Sequence, residues 1–207
     1  MKALRVIGYS HSVFSRSVRI ALAELSHPYS WEEVDPFGEA SDDHPFGRVP
    51  VLFDGQTRVY ESWAILSYLY RISDRNRIRA PLVEARAAQI AGIVTSYAYW
   101  PLVRQVYSHG VFRPAFDLEY DMSKIQDGLE QAGSVLSALE DIAAENLVLG
   151  SGCEPEDCIL FPMIDAFRRY PAAAELLAHY PALNSWWARM NNRDKVAETF
   201  CRLGPEA

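Results

Sequence analysis

Leu4-Arg5-Val6-Ile7-Gly8-Tyr9-Ser10-His11-Ser12-Val13-Phe14-Ser15-Arg16-Ser17-Val18-Arg19 holds the change of period on which the fold turns. Leu4 to Gly8 is a short β-prone run. After a polar interval, Val18, Ala21, Leu22 and Leu25 recur at spacings of three and four, which places them on one helical face. A strand therefore leads into a helix. Tyr29 to Val34 supplies β-branched and aromatic residues between Pro28 and Asp35-Pro36, and completes a βαβ unit whose second strand is expected parallel to the first. Val49-Pro50-Val51-Leu52-Phe53 and Thr57-Arg58-Val59-Tyr60 then flank Asp54-Gly55-Gln56, where glycine supplies the positive φ that a tight hairpin turn requires. From Ser62 to Ile72 the apolar Ile65, Leu66, Leu69 and Ile72 repeat helically, with the Ser62 hydroxyl placed to cap the start. The order is βαβ, a weak helical or loop stretch, then ββα.

Beyond residue 82 the β signals fade. Val83 to Tyr107 reads as a helix kinked at Pro101, and Met122, Ile125, Leu129, Ala132, Val135, Leu136, Leu139 and Ile142 mark a long amphipathic helix. Gly128 and Gly133 each cost that helix about 1 kcal/mol relative to alanine but would allow close helix contact. Pro155 to Tyr170 and Ala182 to Asn191 read as further helices. The charge changes at the same place. Residues 1–80 carry 10 basic and 10 acidic side chains, whereas the remainder carries 10 and 17, which puts a boundary near residue 80.

At 207 residues, with 49% hydrophobic and 23% charged side chains, the chain can bury a substantial core, which excludes disorder as its main state. A net charge of -7 has the wrong sign for neutralising phosphates, so nucleic acid is not the expected partner. No apolar run approaches the ~18 residues of a membrane span and no leader pattern precedes Leu4, so a soluble cytoplasmic protein is expected. Cys153, Cys158 and Cys201 are odd in number and lack CxxC spacing, which suggests reduced structural thiols rather than a disulfide framework or a zinc site. No internal repeat occurs.

A βαβ-ββα unit with proline at the head of its third strand, followed by an all-helical region, resembles the cytosolic glutathione transferases. The resemblance spans nearly the whole chain and rests on Ser12 to Arg19, on Gly47-Arg48-Val49-Pro50-Val51-Leu52, and on Glu61-Ser62, in that order and at family spacing. It implies an α/β thioredoxin-like domain over residues 1–80 and an all-α helical domain over residues 83–207. One feature departs from the pattern. Where the family has a Ser or Thr three residues before Asp157, this chain has Glu154, followed by Pro155, although Phe161-Pro162 still fits.

The resemblance also implies the chemistry. Glutathione carries a thiol with a free pKa near ~8.5, and the enzyme must favour the thiolate. A hydroxyl donor at a helix N-terminus does so through its hydrogen bond and through the helix dipole. Ser12 matches that position and makes the chain resemble the serine-type, bacterial theta, zeta and delta-like classes; Tyr9 and Ser15 compete for the role, and helix capping is the structural alternative for Ser12. A serine cannot form a mixed disulfide, so thioltransferase chemistry is not expected. Val49-Pro50 would be a cis bond that turns the Val49 backbone toward the tripeptide. Glu61 would take the γ-glutamyl ammonium, Ser62 the γ-glutamyl carboxylate, and Arg48 or His44 the glycine carboxylate. Phe14, Tyr97, Trp100, Arg104 and Tyr107 are candidates for the electrophile site. The last four follow spacings of three, four and three and so would share one helical face, an arrangement equally common in a core.

The implied activity is transfer of glutathione, as co-substrate and without a metal, to a small, partly apolar electrophile by a homodimer. Glutathione-dependent isomerisation or peroxide reduction would use the same thiolate. A non-catalytic interaction module on the same scaffold would need none of Ser12, Pro50, Glu61 and Ser62.

Overall fold

A computed structural model of the chain describes residues 4–38, 43–75 and 78–204, so residues 39–42 of the weak helical or loop stretch lie outside it. The sequence order is met in the first part: β1 (Leu4–Gly8), α1 (Val13–Glu24), β2 (Tyr29–Glu33), β3 (Val51–Asp54), β4 (Thr57–Tyr60) and α2 (Ser62–Ile72). The four strands lie in the order β2-β1-β3-β4, with β1 and β2 parallel and the other pairs antiparallel. Gly55 (φ 59°) takes the left-handed position of the two-residue loop between β3 and β4. Leu4, Val6 and Leu52 from the sheet pack with Val18, Ala21 and Leu22 of α1 and Ile65, Leu66 and Leu69 of α2 in the core.

Two details differ from expectation. The third strand starts at Val51 rather than Val49, since Pro50 has no N–H to give a ladder and its bond to Val49 is cis. Ser62 does not cap α2: it is the first helical residue and is buried, while Glu61 occupies the N-cap in a left-handed conformation (φ 69°) without a side-chain cap bond. The tight exit from β4 forces this. Tyr60 is still paired to Val51, and the chain must turn into the helix within one residue.

The second part is helical: α3 (Pro81–Ile93), a π-helix (Val94–Phe112), a single turn α4 (Arg113–Ala115), α5 (Met122–Ala144), α6 (Pro155–Phe167), α7 (Pro171–Leu177), α8 (Pro181–Asn191) and α9 (Asp194–Ala197). Every residue of α6 is buried, which makes it the axis of this part. Arg16 of α1 pairs with Asp165 of α6, and Arg193, just before α9, makes two 2.8 Å bonds to the Glu24 carboxylate, so the sheet side and the helical side are joined by buried charge as well as apolar contact. The missing Ser or Thr before α6 is partly offset. Asp157 Oδ2 accepts the Glu154 amide at 2.8 Å, which is the return half of a capping box.

The π-winding corrects the reading of Val83 to Tyr107 as one α-helix kinked at Pro101. With i→i+5 bonding a turn takes more than four residues, so spacings of three and four no longer stay on one face. Pro101 contributes no donor to either ladder. Gly128 lets α5 approach this segment: a Cβ there would lie 2.8 Å from the Pro101 carbonyl oxygen and 2.8 Å from Val106 Cγ2. Gly133 has no such neighbour within 4 Å.

Candidate active site

Ile7 pairs with Val51, and Val51 with Tyr60. The Tyr9–Ser12 connection, the Val49-Pro50 bond and the Glu61–Ser62 junction therefore leave the sheet at one end. This is where the three sequence signatures meet.

Ser12 is the N-cap of α1, in extended backbone conformation (φ -77°, ψ 124°). Its N–H donates to the Tyr9 carbonyl at 2.9 Å, and its Oγ accepts the Ser15 N–H at 3.2 Å. Capping uses a lone pair and leaves the hydroxyl proton available to an outside acceptor, so the structural and chemical readings of Ser12 are compatible. The two competitors are differently placed. Ser15 is fully buried, and its Oγ accepts the Tyr9 N–H at 3.2 Å. The phenol of Tyr9 is held protonated well past neutrality, first by burial and then by Asp35, Glu33 and Cys201.

Across the same end lies the start of α2. Its N-cap residue Glu61 makes no side-chain cap bond, so among the described residues the leading N–H groups stay open to an anion. The Glu61 carboxylate is exposed beside them. Arg48 is exposed, whereas His44, expected as an alternative cation for a glycine carboxylate, is 5% exposed. Its Nδ1 accepts the Phe46 amide at 3.1 Å, its Nε2 lies 4.0 Å from Glu61 Oε1, and burial lowers its pKa, so it is a neutral ring turned to Glu61.

The helical side presents a different set of side chains from the one expected. Tyr97 and Trp100 are 67% and 60% exposed, Tyr107 is 7% exposed, and the Arg104 guanidinium lies over the Phe37 ring at 5.7 Å. The four do not share a face, because the π-winding rotates them apart. Phe14 packs on Tyr99 with ring centroids 4.9 Å apart. Beside Ser12 stands a chain of rings that periodicity did not reveal. His11 meets Tyr9, Phe112 and Phe116 edge-on at 5.4, 5.6 and 5.3 Å, and Tyr9 meets Phe37 at 6.4 Å. Burial lowers the His11 pKa, and its buried Nδ1 has no hydrogen-bond partner among the described residues. The spacing of Phe112 and Phe116 by four, where the helix ends, was the signal available in the sequence. Cys153 and Cys158 are buried with their sulfurs 3.6 Å apart, as structural thiols would be, but Cys201 is half-exposed and lies outside the core. Among the described residues, no group of three or more His, Cys, Asp or Glu is placed to hold a metal ion, and no helix is long and apolar enough to cross a membrane.

Comparison with known proteins agrees with this geometry. Residues 11–72 match the family model described as the glutathione S-transferase N-terminal domain. The chain is 24% identical to a probable glutathione S-transferase, GSTF1, of Oryza sativa subsp. japonica, over 100% of this chain and 99% of that one. It is 25% identical to glutathione S-transferase F7 of Arabidopsis thaliana, over 97% and 100%. Among solved structures, glutathione S-transferase-I bound with lactoylglutathione superposes with a TM-score of 0.81 at 22% identity, covering 95% of this chain and 98% of that one. A theta class enzyme from the citrus canker pathogen Xanthomonas axonopodis pv. citri, with glutathione bound, gives 0.78 at 25% identity, covering 96% and 97%.

Proposed function

We propose that this chain, whose residues 11–72 carry a glutathione S-transferase N-terminal domain and whose whole length takes the glutathione transferase fold, is a glutathione transferase. The observation that carries the reading is Ser12: an N-cap hydroxyl with its proton uncommitted, at the sheet end shared by the cis Val49-Pro50 bond and the open N-terminus of α2.

In this reading the tripeptide lies along the sheet end, with the Val49 backbone pairing to its cysteinyl residue as a further strand would. Glu61 holds the γ-glutamyl ammonium, the amides of α2 with Ser62 hold its carboxylate, and Arg48 faces the glycine carboxylate. The thiol then sits at Ser12. Its ionised form gains a donated hydrogen bond and the positive end of α1, and a downward shift of ~2 pKa units needs roughly 2.7 kcal/mol, the order that one charge-assisted bond and a dipole supply together. The thiolate attacks an electrophile held between Ser12 and the helical side, where Phe14, Arg104 and Tyr107 are joined by His11, Phe112 and Phe116. Rate comes from ionisation and from proximity.

Residues 1–80 would form the glutathione-binding domain and residues 83–207 the domain that contributes the electrophile site, in a soluble, cytoplasmic homodimer. The exposed Tyr97 and Trp100 suit a subunit contact better than a substrate pocket. A serine-type class is supported by Ser12; the bacterial theta-like assignment has one theta class neighbour in its favour, whereas the curated relatives given above are plant enzymes.

Retention on immobilised glutathione, with release by free glutathione, tests the binding half. Loss of free thiol against a panel of aryl, alkyl and enone electrophiles tests the transfer half. A protein that neither binds the tripeptide nor accelerates any of these reactions would refute the proposal.

A further inference from the structure

The loop that carries Ser12 has lost its sheet partner. β1 ends at Gly8, paired in register with Glu33 at the end of β2, and the ladder closes with the Val34 amide donating to the Gly8 carbonyl at 2.8 Å. From Tyr9 onward the chain leaves the sheet and has no strand beside it among the described residues. A side chain takes over. The Glu33 carboxylate accepts the Ser10 N–H at 2.7 Å through one oxygen, and the Ser10 hydroxyl and the Trp31 indole N–H, each at 2.7 Å, through the other. Three donors on one carboxylate define its orientation. Trp31 is itself fixed, lying so close across Gly8 that any Cβ at position 8 would overlap the indole, with the Arg19 guanidinium over its ring at 5.4 Å. Two further loop amides are held as well: Tyr9 N–H by Ser15 Oγ, and Ser12 N–H by the Tyr9 carbonyl.

We propose that Glu33 is a positioning residue for catalysis, clamping Ser10 so that the Ser12 hydroxyl stays aimed at the glutathione sulfur. The inference rests on the reading of Ser12 given above. Glu33 touches neither substrate; it acts through the backbone two residues away from the donor.

The sign of one measurement separates positioning from mere charge. Removal of a nearby carboxylate by itself favours an anion and would pull the thiol pKa of bound glutathione down, whereas loss of the Ser12 donor would push it up. In Glu33→Ala the pKa, titrated through the ultraviolet absorbance of the bound thiolate, is expected to rise by about one unit. The kcat for transfer at neutral pH is expected to fall about tenfold, with KM for glutathione within about twofold of wild type. Glu33→Gln, which can still accept the Ser10 amide, should recover part of the loss, and Ser10→Ala should move the same way by less. In a Ser12→Ala background, Glu33→Ala should no longer raise the thiol pKa or lower kcat, leaving only the downward pull of the lost charge. If Ser12→Ala raises the thiol pKa while Glu33→Ala leaves it unchanged or lowers it, the clamp is refuted and the Ser12 reading stands. If Ser12→Ala also leaves it unchanged, the Ser12 reading fails and the clamp fails with it.

Discussion

Ser12 and Ser15 are tied together, and the tie runs in one direction: the Ser15 amide donates to Ser12 Oγ at 3.2 Å, while the Ser15 hydroxyl turns away and accepts the Tyr9 amide at 3.2 Å. One serine faces the site and the other faces the loop. Two hydroxyls three residues apart therefore have separable consequences.

Ser12→Ala should leave the fold intact, costing at most about 1 kcal/mol for the lost cap. It should still bind glutathione through Val49, Glu61 and Ser62, but show a raised pKa for the bound thiol and a transfer rate lower by ~10²-fold, comparable to loss of one oxyanion donor. Ser15→Ala should do the reverse. It leaves the Tyr9 N–H without its partner and should lower stability by about 1–3 kcal/mol in denaturant unfolding, with a smaller effect on the thiol pKa. If Ser15→Ala shifts the pKa and Ser12→Ala does not, the donor has been misassigned.

Glu61→Ala and Ser62→Ala should weaken glutathione binding more than they slow the bound thiolate, because the proposed function places both at the γ-glutamyl end, remote from sulfur. The expected signature is a raised KM for glutathione with a smaller change in kcat. Glu61 already stands at φ 69°, a conformation that L side chains rarely adopt, and alanine keeps that strain whereas glycine relieves it. Glu61→Gly should therefore be the more stable of the two variants at this position while binding as poorly. Calorimetry that found unchanged glutathione affinity in Glu61→Ala and Ser62→Ala would remove both residues from the site.

What was legible in the chain follows from where the physics is local. The shift from the Leu4–Gly8 run to the three-and-four spacing of α1, the hairpin glycine at Gly55 and the helical repeat of Ile65, Leu66 and Leu69 are each carried by neighbours in sequence, and each element stands where it was expected. The π-winding was not legible, because Pro101 signals only a break and says nothing about how the ladder re-forms around it. The whole of α6 is buried, so it has no polar face to give its length away, and it ends at Phe167 rather than Tyr170. α7 is a seven-residue helix and α9 a four-residue one, too short to establish a period. Among the site residues, Ser12, Val49 and Pro50 stand at one sheet end because strand register brings them there. The burial of His44 and the Glu33 clamp depend on contacts across 17 and 23 residues, which no spacing rule contains.

The two glycines of α5 should respond to alanine with opposite signs. At Gly128 the added methyl group meets a backbone carbonyl, that of Pro101, which cannot rotate away, so Gly128→Ala should destabilise the protein by about 1–3 kcal/mol. A Cβ at Gly133 would meet nothing within 4 Å among the described residues, so Gly133→Ala should stabilise by up to about 1 kcal/mol. Thermal melts of both variants against wild type give the test, and a destabilising Gly133→Ala would mean that α5 meets a neighbour there, such as a second subunit.

A buried carboxyl at the start of α6 makes the stability of the fold depend on pH. Asp157 is 1% exposed, with Oδ2 accepting the Glu154 amide at 2.8 Å and Oδ1 the Trp186 indole N–H at 2.7 Å. Burial, and after it the Glu156 carboxylate, push its pKa up to about 7, against 3.8 for an unperturbed Asp. A carboxyl whose folded pKa exceeds its unfolded one binds more protons when folded. Its contribution is therefore complete below about pH 4 and is lost as pH rises through about 7. Glu24 has the opposite sense, its pKa held down by Arg193 and other cations in spite of its burial, so the whole-protein profile mixes both slopes. The comparison that isolates Asp157 is wild type minus Asp157→Asn, measured by chemical unfolding from pH 4 to 8. Asparagine cannot ionise and offers one acceptor in place of two, which costs about 1 kcal/mol at every pH. The difference should favour wild type most at the acidic end, shrink by an amount on the order of a few kcal/mol as pH rises to about 7, and then level off. A difference that stayed constant across this range would mean that Asp157 is ionised in the folded protein throughout. In that case the hydrogen bonds from the Trp186 indole and the Glu154 amide, rather than burial, would set its charge.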